Sequence, residues 1–598
     1  MFTIDGIGDQ LDLNKFAKEF FKKDSPMADV SVDSNANVVS KSVIEFNFEF
    51  PKPLQRYNSY FLLWKEMKAL YGLRIANEYI ELQINGSIYI NDFVDVGRPY
   101  CFNFSTYDIA LSGLEMSSRM VIKRPKGLES FLRQVEQFTV YAANSTLGAT
   151  GLADFLIVAA WFYDRMKEIG FDHKIAVVNP KCYLKEKLSS FIYTLNWEFR
   201  GNQSPFTNVS VYDDYFLKEL APDYVIDETA PTVESIKEVQ RTFLMCMNEE
   251  LHRSPLTFPV TTACMSVDKD GKIRDTAFKK MVALENLEHG FINFYYGDTA
   301  TLSSCCRLRS EKNNEYFNSF GAGSTKIGSL GVVTLNLPRL AHASGGVLEV
   351  FIEKLKEYIK VASDINAAKR NIIQDRIKLG AMPLYSLGHM DLSKQYATVG
   401  VNGVNECLEI LGLDVLKKSG QSFLSLMLDV INDENDAHQK RTHTPHNCEQ
   451  VPAESSAVKL ASKDKLLGYD FGYSIYSNQF IPLTTTTNIM TRLRIQGMFD
   501  KKFSGGAVCH VNLGSQIKEV DFLLDLMDYA AECGVVYWAV NYALKRCSLN
   551  HVFVDGDHCP ECGGSVAEVF TRVVGFFTNV RHWNPTRRRD DWPLREFY

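Results

Sequence analysis

Apolar positions recur at helical spacing from Tyr57 in YNSYFLLWKEMKALYGL, and the pattern closes at Gly72, which predicts a helix ending on that glycine. Short β-rich apolar runs follow (IELQINGSIYIND, KIAVVN and GVVTLNLP). They alternate with helical stretches, of which the longest is GVLEVFIEKLKEYIKVASDINAAKRNIIQDRIK. This alternation predicts an α/β architecture but does not separate a barrel from an open sheet. Two stretches break the rhythm. Residues 1–50 are polar and irregular, and Asp29 to Val38 read as turn and loop. Asn432 to Lys465 is polar and rich in His, Thr, Ser and Lys, which predicts a long surface loop. No internal repeat or low-complexity tract is present. From Lys545 the character changes: cysteines and glycines cluster, and the chain closes on a basic, aromatic tail.

Composition narrows the class. The 598 residues suffice for one large domain with appendages or for several ordinary ones. Hydrophobic content of 45% and charged content of 23% are those of a globular protein. No run approaches the roughly 18 apolar residues that span a bilayer. The start, MFTIDGIGDQLDLNKF, has no basic segment followed by an apolar one, so a cytoplasmic protein is expected. A net charge of -7 argues against a general nucleic-acid binder while leaving nucleotide substrates open. Thirteen scattered cysteines do not form a small disulfide scaffold; in a reducing compartment they are buried, metal-bound or catalytic.

The chemistry concentrates near the C-terminus. RCSLNHVFVDGDHCPECGG holds Cys547, His551, Cys559 and Cys562, and CPECGG is a zinc-knuckle pattern whose glycines let the chain turn around the ion. A Cys3His tetrahedron is the natural set, with His558 or Cys533 as weaker substitutes, and a closed site would be structural. Just beyond lies TRVVGFFTNVRHW, centred on Gly575. Alone, that glycine reads as a strand bulge or close approach. Its Arg-Val-x-Gly-aromatic setting resembles the radical site of glycyl-radical enzymes. A Cα radical is shared between the flanking amide nitrogen and carbonyl, and only glycine lacks a side chain to hinder planarity there.

A stored backbone radical needs a sulfur relay. TLSSCCRLRSE places Cys305 beside Cys306, and PYCFNF carries Cys101 between a strand and a helical stretch. The three sites, with NGSIYINDF, GSLGVVTLNLPRL and VPAES in order, resemble class III anaerobic ribonucleotide reductases over most of the chain. The resemblance implies a ten-stranded α/β barrel of two half-barrels, with a finger loop bearing Cys306 beside a loop bearing Gly575. It implies an S-adenosylmethionine, iron–sulfur activase that installs the glycyl radical, which passes to Cys306. The thiyl then removes the ribose 3′ hydrogen, and Cys101 helps reduce the sugar after the 2′ hydroxyl leaves. Cys305 is second choice as thiyl. Substrates would be ribonucleoside triphosphates, with nucleotide effectors acting on a homodimer.

Four threonines, Thr484, Thr485, Thr486 and Thr487, and Asn488 open an apparent helix, as a phosphate cradle or as an ordinary cap. Glu406 or Glu409 could supply a carboxylate at the ribose, or either could be a surface charge. Family members using formate commonly carry asparagine where Ser329 stands, so formate is in doubt. A thioredoxin-like donor would need a further cysteine such as Cys407 or Cys448. The expected division is an extension over 1–50, too short for an ATP-binding regulatory domain; the barrel over 51–540; the metal segment over 541–566; and the radical loop over 567–598. The rivals are a pyruvate formate-lyase-like acyltransferase and a zinc-containing scaffold protein.

Overall fold

The helix expected from Tyr57 is Lys52–Tyr71, stopped by Gly72 at a φ of 86°. This computed structural model describes residues 43–117, 120–169, 179–199, 203–297, 301–304, 308–311, 326–573 and 575–598. The run IELQIN is not a strand: it finishes the helix Leu73–Asn85, which ends on left-handed Gly86, and only Ile88–Ile90 is extended. The residues of KIAVVN lie outside the described residues except Asn179, which caps the helix Pro180–Leu195.

Ten strands form the barrel. Cys101–Asn103, Thr150–Gly151, Thr207–Tyr212, Val260–Ser266 and Ile292–Gly297 run parallel as one half. Ile327–Asn336, Gln395–Asn402 and His446–Gln450 are parallel to one another, as are Cys509–Asn512 and Tyr537–Asn541. A parallel bridge, Glu449 to Gly506, joins these two groups into the second half; there the Gly505 amide donates to the Cys448 carbonyl at 2.7 Å. The halves meet antiparallel at two seams, Ser329 opposite Cys101 and Trp538 opposite Phe294. The outcome is the barrel of two half-barrels, with Ile88–Ile90 as an extra strand on Ile327–Asn336.

Helices cover the outside. The 31-residue helix Leu348–Lys378 turns Phe351, Leu355, Ile359, Ala362 and Ile365 into a core shared with Val333, Val399 and Val401. Gly331 faces this helix, and a Cβ there would stand 2.9 Å from the Asn366 side chain and from Lys369.

The stretch 432–465 corrects the sequence reading. It is not a loop but the end of the helix Lys418–Thr442, the barrel strand His446–Gln450 and most of the helix Ser456–Leu466. Several of its polar side chains find partners inside the protein. His446 Nε2 lies 2.9 Å from Ser363 Oγ, its Nδ1 2.8 Å from the Thr444 carbonyl, and its ring stacks near His438. Polar composition marks a surface only when the protein offers such groups no partners.

The C-terminal part is a four-stranded sheet in the order Val552–Phe553, Leu544–Cys547, Val566–Arg572, Phe577–Asn579. Metal segment and radical loop therefore share one sheet, and a boundary at 566/567 falls within a strand. Among the described residues, no helix is long and apolar enough to cross a membrane.

Candidate active site

Gly575 lies at the turn of a hairpin, where Arg572 pairs with Phe577 across the two strands. It is buried, yet the ordinary reasons for glycine are missing. Its φ is outside the left-handed region, and among the described residues no atom lies within 4 Å of where a Cβ would stand. Neither backbone geometry nor packing against the described residues calls for glycine here.

Distant residues hold the hairpin in place. Asn293 Nδ2 donates to the Gly575 carbonyl at 3.4 Å, and Asn293 Oδ1 accepts from the Arg572 guanidinium at 3.2 Å. Arg572, 1% exposed, also donates to the carbonyls of Gly290 and Val540 and lies over the Phe577 ring. Asn478 Nδ2 donates to the Val573 carbonyl at 3.2 Å. Phe576 packs between Phe206 and Phe258, with ring centroids at 5.0 and 5.2 Å.

Phe206 is the link to Cys101. Both pack on the same small cluster of Ala149, Ile327 and Tyr396. The half-buried Cys101 and buried Gly575 thus share one region of the barrel interior, with an aromatic ring between the loop and the cysteine's cluster. Cys101 also packs against Tyr100, Val332, Val451, Ala453 and Ala457. Ser329 sits directly opposite it in register, and Ser329 Oγ lies 2.9 Å from Thr398 Oγ1. Strands Thr301–Ser304 and Leu308–Glu311 pair as a hairpin with Ser304 opposite Leu308. Cys305 and Cys306, between those strands, lie outside the described residues.

At the other end of the C-terminal sheet, the ligand atoms of Cys547, His551, Cys559 and Cys562 lie within 4.8 Å of one another. Cys547 and Cys562 sulfurs are 3.7 Å apart, and Cys559 Sγ is 3.4 Å from His551 Nδ1. Zinc–sulfur bonds of about 2.3 Å in a tetrahedron place two sulfurs about 3.8 Å apart, so the set fits that ion. Glu561 sits 3.4 Å from His551 Nε2, leaving Nδ1 to face the cluster. The turn closes through Gly563, at a φ of 69°, whose amide donates to the Cys559 carbonyl. Neither His558 nor Cys533 belongs to the cluster.

The family model described as anaerobic ribonucleoside-triphosphate reductase matches residues 57–597. The chain belongs to that family. A solved anaerobic ribonucleotide reductase is 32% identical, at a TM-score of 0.88, covering 99% of this chain and 94% of its own. The Thermotoga maritima enzyme, solved with glycerol in the active site, is 33% identical at 0.87, covering 98% and 95%. Solved with dATP in the specificity site, the Thermotoga maritima enzyme is 30% identical at 0.83, covering 98% and 100%. No curated protein matches the chain. The reductase is an oxidoreductase acting on ribonucleotides, and the acyltransferase and scaffold readings fall away.

Other candidates in the reductase are more dispersed. Thr484 to Thr487 lie on the surface before the helix Ile489–Asp500, and Asn488 Oδ1 caps that helix by accepting from the Thr491 amide at 2.7 Å. Thr486 Oγ1 donates to Glu596, near the chain end, at 2.9 Å. Glu406 is buried beyond the end of the strand Gln395–Asn402. Six residues separate Asn402 from Tyr396, which is level with Cys101, or roughly 20 Å along the strand. Its Oε1 accepts from the Ser477 amide at 2.8 Å while Oε2 has no partner, and burial pushes its pKa up to about 7. The structure thus sets Glu406 apart from Cys101 and against the segment bearing Asn478. Glu409 bonds to Asn405 and Tyr473, away from the barrel interior. Cys407 and Cys448 are fully buried in the apolar core outside the barrel, where desolvation pushes their thiols well up.

Sequence reasoning missed Lys369, buried beneath the strand bearing Ser329. Burial pulls it down to about 8, while Asp92, Asp95 and Cys101 act the other way. It also missed Asn293 and Asn478; their only signal was an amide on a strand or loop.

Proposed function

We propose that this chain reduces ribonucleoside triphosphates to deoxyribonucleoside triphosphates by a glycyl/thiyl radical mechanism, with the radical stored at Cα of Gly575. The supporting observation is a buried glycine that neither its conformation nor packing against the described residues requires, one aromatic ring from the surroundings of Cys101. A radical S-adenosylmethionine activase removes the Cα hydrogen. Cys306, with Cys305 as second choice, gives its thiol hydrogen to Cα and becomes the thiyl. The thiyl takes the 3′ hydrogen, the 2′ hydroxyl leaves as water with Cys101 on the other face, and the 3′ hydrogen is returned. Formate or a thioredoxin-like protein supplies the two electrons; the two buried cysteines, Cys407 and Cys448, are poorly placed as a relay for the latter. Thr484 to Thr487 with Asn488 bind the triphosphate, and Glu406, the carboxylate expected at the ribose, acts by holding the segment that bears Asn478. Zinc at Cys547, His551, Cys559 and Cys562 is structural. Nucleotide effectors, supported by the dATP in the specificity site of the Thermotoga maritima relative, and a homodimer complete the reading.

The test is anaerobic incubation with a matching activase, S-adenosylmethionine and reductant, followed by electron paramagnetic resonance and a deoxynucleotide assay. A doublet in the wild type, its absence in Gly575→Ala, and a doublet without turnover in Cys306→Ser are expected. Oxygen should then cut the activated chain at Gly575. A wild type that gives deoxynucleotide without a doublet rules the radical store out.

A further inference from the structure

Two loops meet at the site from opposite sides of the chain. One is Pro452–Ser455, which follows the strand His446–Gln450 and contributes Ala453 to the apolar cluster against which Cys101 packs. The other is the turn of the Gly575 hairpin. The first loop is not self-supporting: Ala453 stands at a φ of 54°, a left-handed conformation that alanine rarely adopts. Its three successive carbonyls all accept from distant side chains. Asn478 donates to Pro452 at 2.7 Å, and Arg587 donates to Ala453 at 2.9 Å and to Glu454 at 3.0 Å.

The same pieces also hold the hairpin. Asn478 uses its one amide group on both Pro452 and Val573. Arg595 donates to the Arg572 carbonyl at 2.7 Å and lies over the Trp583 ring. Between Arg587 and Arg595 stands Asp591, bonded to the first at 2.7 Å and to the second at 2.7 and 3.0 Å. All three side chains are buried, at 4%, 7% and 8% exposure. We infer that Asp591, bridging Arg587 and Arg595, is a positioning residue that clasps the Cys101-side loop and the Gly575 hairpin in one fixed arrangement. Burial alone would raise the Asp591 carboxyl, but the two guanidiniums hold it at about 2, so the clasp stays charged at any working pH. Without the carboxylate, two buried like charges face each other and each loses its orienting partner. Both loops are then released together.

This role rests on the radical reading for its effect on turnover, but the clasp itself is open to test without a radical. Hydrogen exchange is measured on the whole, unactivated protein as wild type, Asp591→Ala and Asp591→Glu. In Asp591→Ala, exchange is expected to rise about tenfold or more in peptides over 453–457 and 572–579 together, with no change over 547–562 or 348–378. Asp591→Glu should recover part of that protection. Loosening of only one loop, of neither, or of the whole chain overturns the clasp. In the activated protein, Asp591→Ala should keep the doublet per chain and lose about tenfold in deoxynucleotide formed per radical. Deoxynucleotide per radical equal to that of the wild type overturns the positioning role. A wild type without a doublet counts against the radical store, and the exchange result then decides the clasp alone.

Discussion

The two ends of the C-terminal sheet are built on opposite plans. At the knuckle end, Cys547, His551, Cys559 and Cys562 come from one short stretch, and their turn is closed by bonds within it. At the hairpin end, Gly575 is held by Asn293, Asn478, Phe206 and Phe258, all from the barrel, and by Arg595 from the tail. The first end needs only its own segment and an ion. The second is fixed by residues far along the chain.

The comparison is broken most severely by Gly575→Ala. Turnover and doublet are expected to vanish while the melting temperature holds or rises slightly. A Cβ has room, the φ is permitted, and loss of unfolded-state freedom favours alanine by about 0.4–1 kcal/mol. A large loss of stability in calorimetry would show that glycine is structural there after all.

Removing the ion strikes the knuckle end. Chelation, or Cys559→Ala, should take bound metal from about one per chain to near none, read by elemental analysis. Exchange should rise first over 544–566 and only then over the hairpin. Loosening in the reverse order would contradict the division of labour between the two ends.

Arg572→Met probes the hairpin end. The change leaves the Gly290 and Val540 carbonyls and Asn293 Oδ1 short of a buried donor. At about 1–3 kcal/mol for each such group, at least about 3 kcal/mol of stability should be lost in denaturant titration. Cys559→Ala and Arg572→Met should be nearly additive if the ends are independent.

The smallest effect comes from Glu406, which backs the segment bearing Asn478. Its pKa is raised from 4.5 to about 7, so the folded state holds a proton that the unfolded state has released. The wild type should therefore lose stability as pH rises from about 4.5 to 7, by about 3 kcal/mol at most. Glu406→Gln should match the wild type near pH 4 and exceed its stability above pH 7. Parallel stability curves for the two proteins across that range would show that Glu406 is not the buried acid described here.

Much of this was legible beforehand where the signal is local. The helix Lys52–Tyr71 with its Gly72 stop, the long helix Leu348–Lys378 and the strand through GVVTLNLP all show their periods in the chain. The four candidate ligands of the knuckle are legible because two tight turns within one short stretch bring them together. The stretch 432–465 misled because polar side chains such as His446 and His438 are buried against Ser363 and each other, which composition does not report. Glu406 was chosen as a carboxylate near the ribose, and sequence could not show that its helix, Val404–Ile410, packs it against the Ser477 amide. The Asp591 clasp was hidden because its arginines act on backbone carbonyls, which leave no mark on the sequence.

By itself, then, the sequence determined the periodic elements, the ligand set, the family and the glycine that stands out within it. These depend on spacing along the chain. Only the tertiary structure decided that Cys101 and Gly575 share one region, that Ser329 faces Cys101, and that a tail aspartate ties two loops of the site together. The physical reason is that a buried polar or catalytic group is defined by its partners. Here those partners come from opposite ends of the chain, brought together when the two half-barrels close.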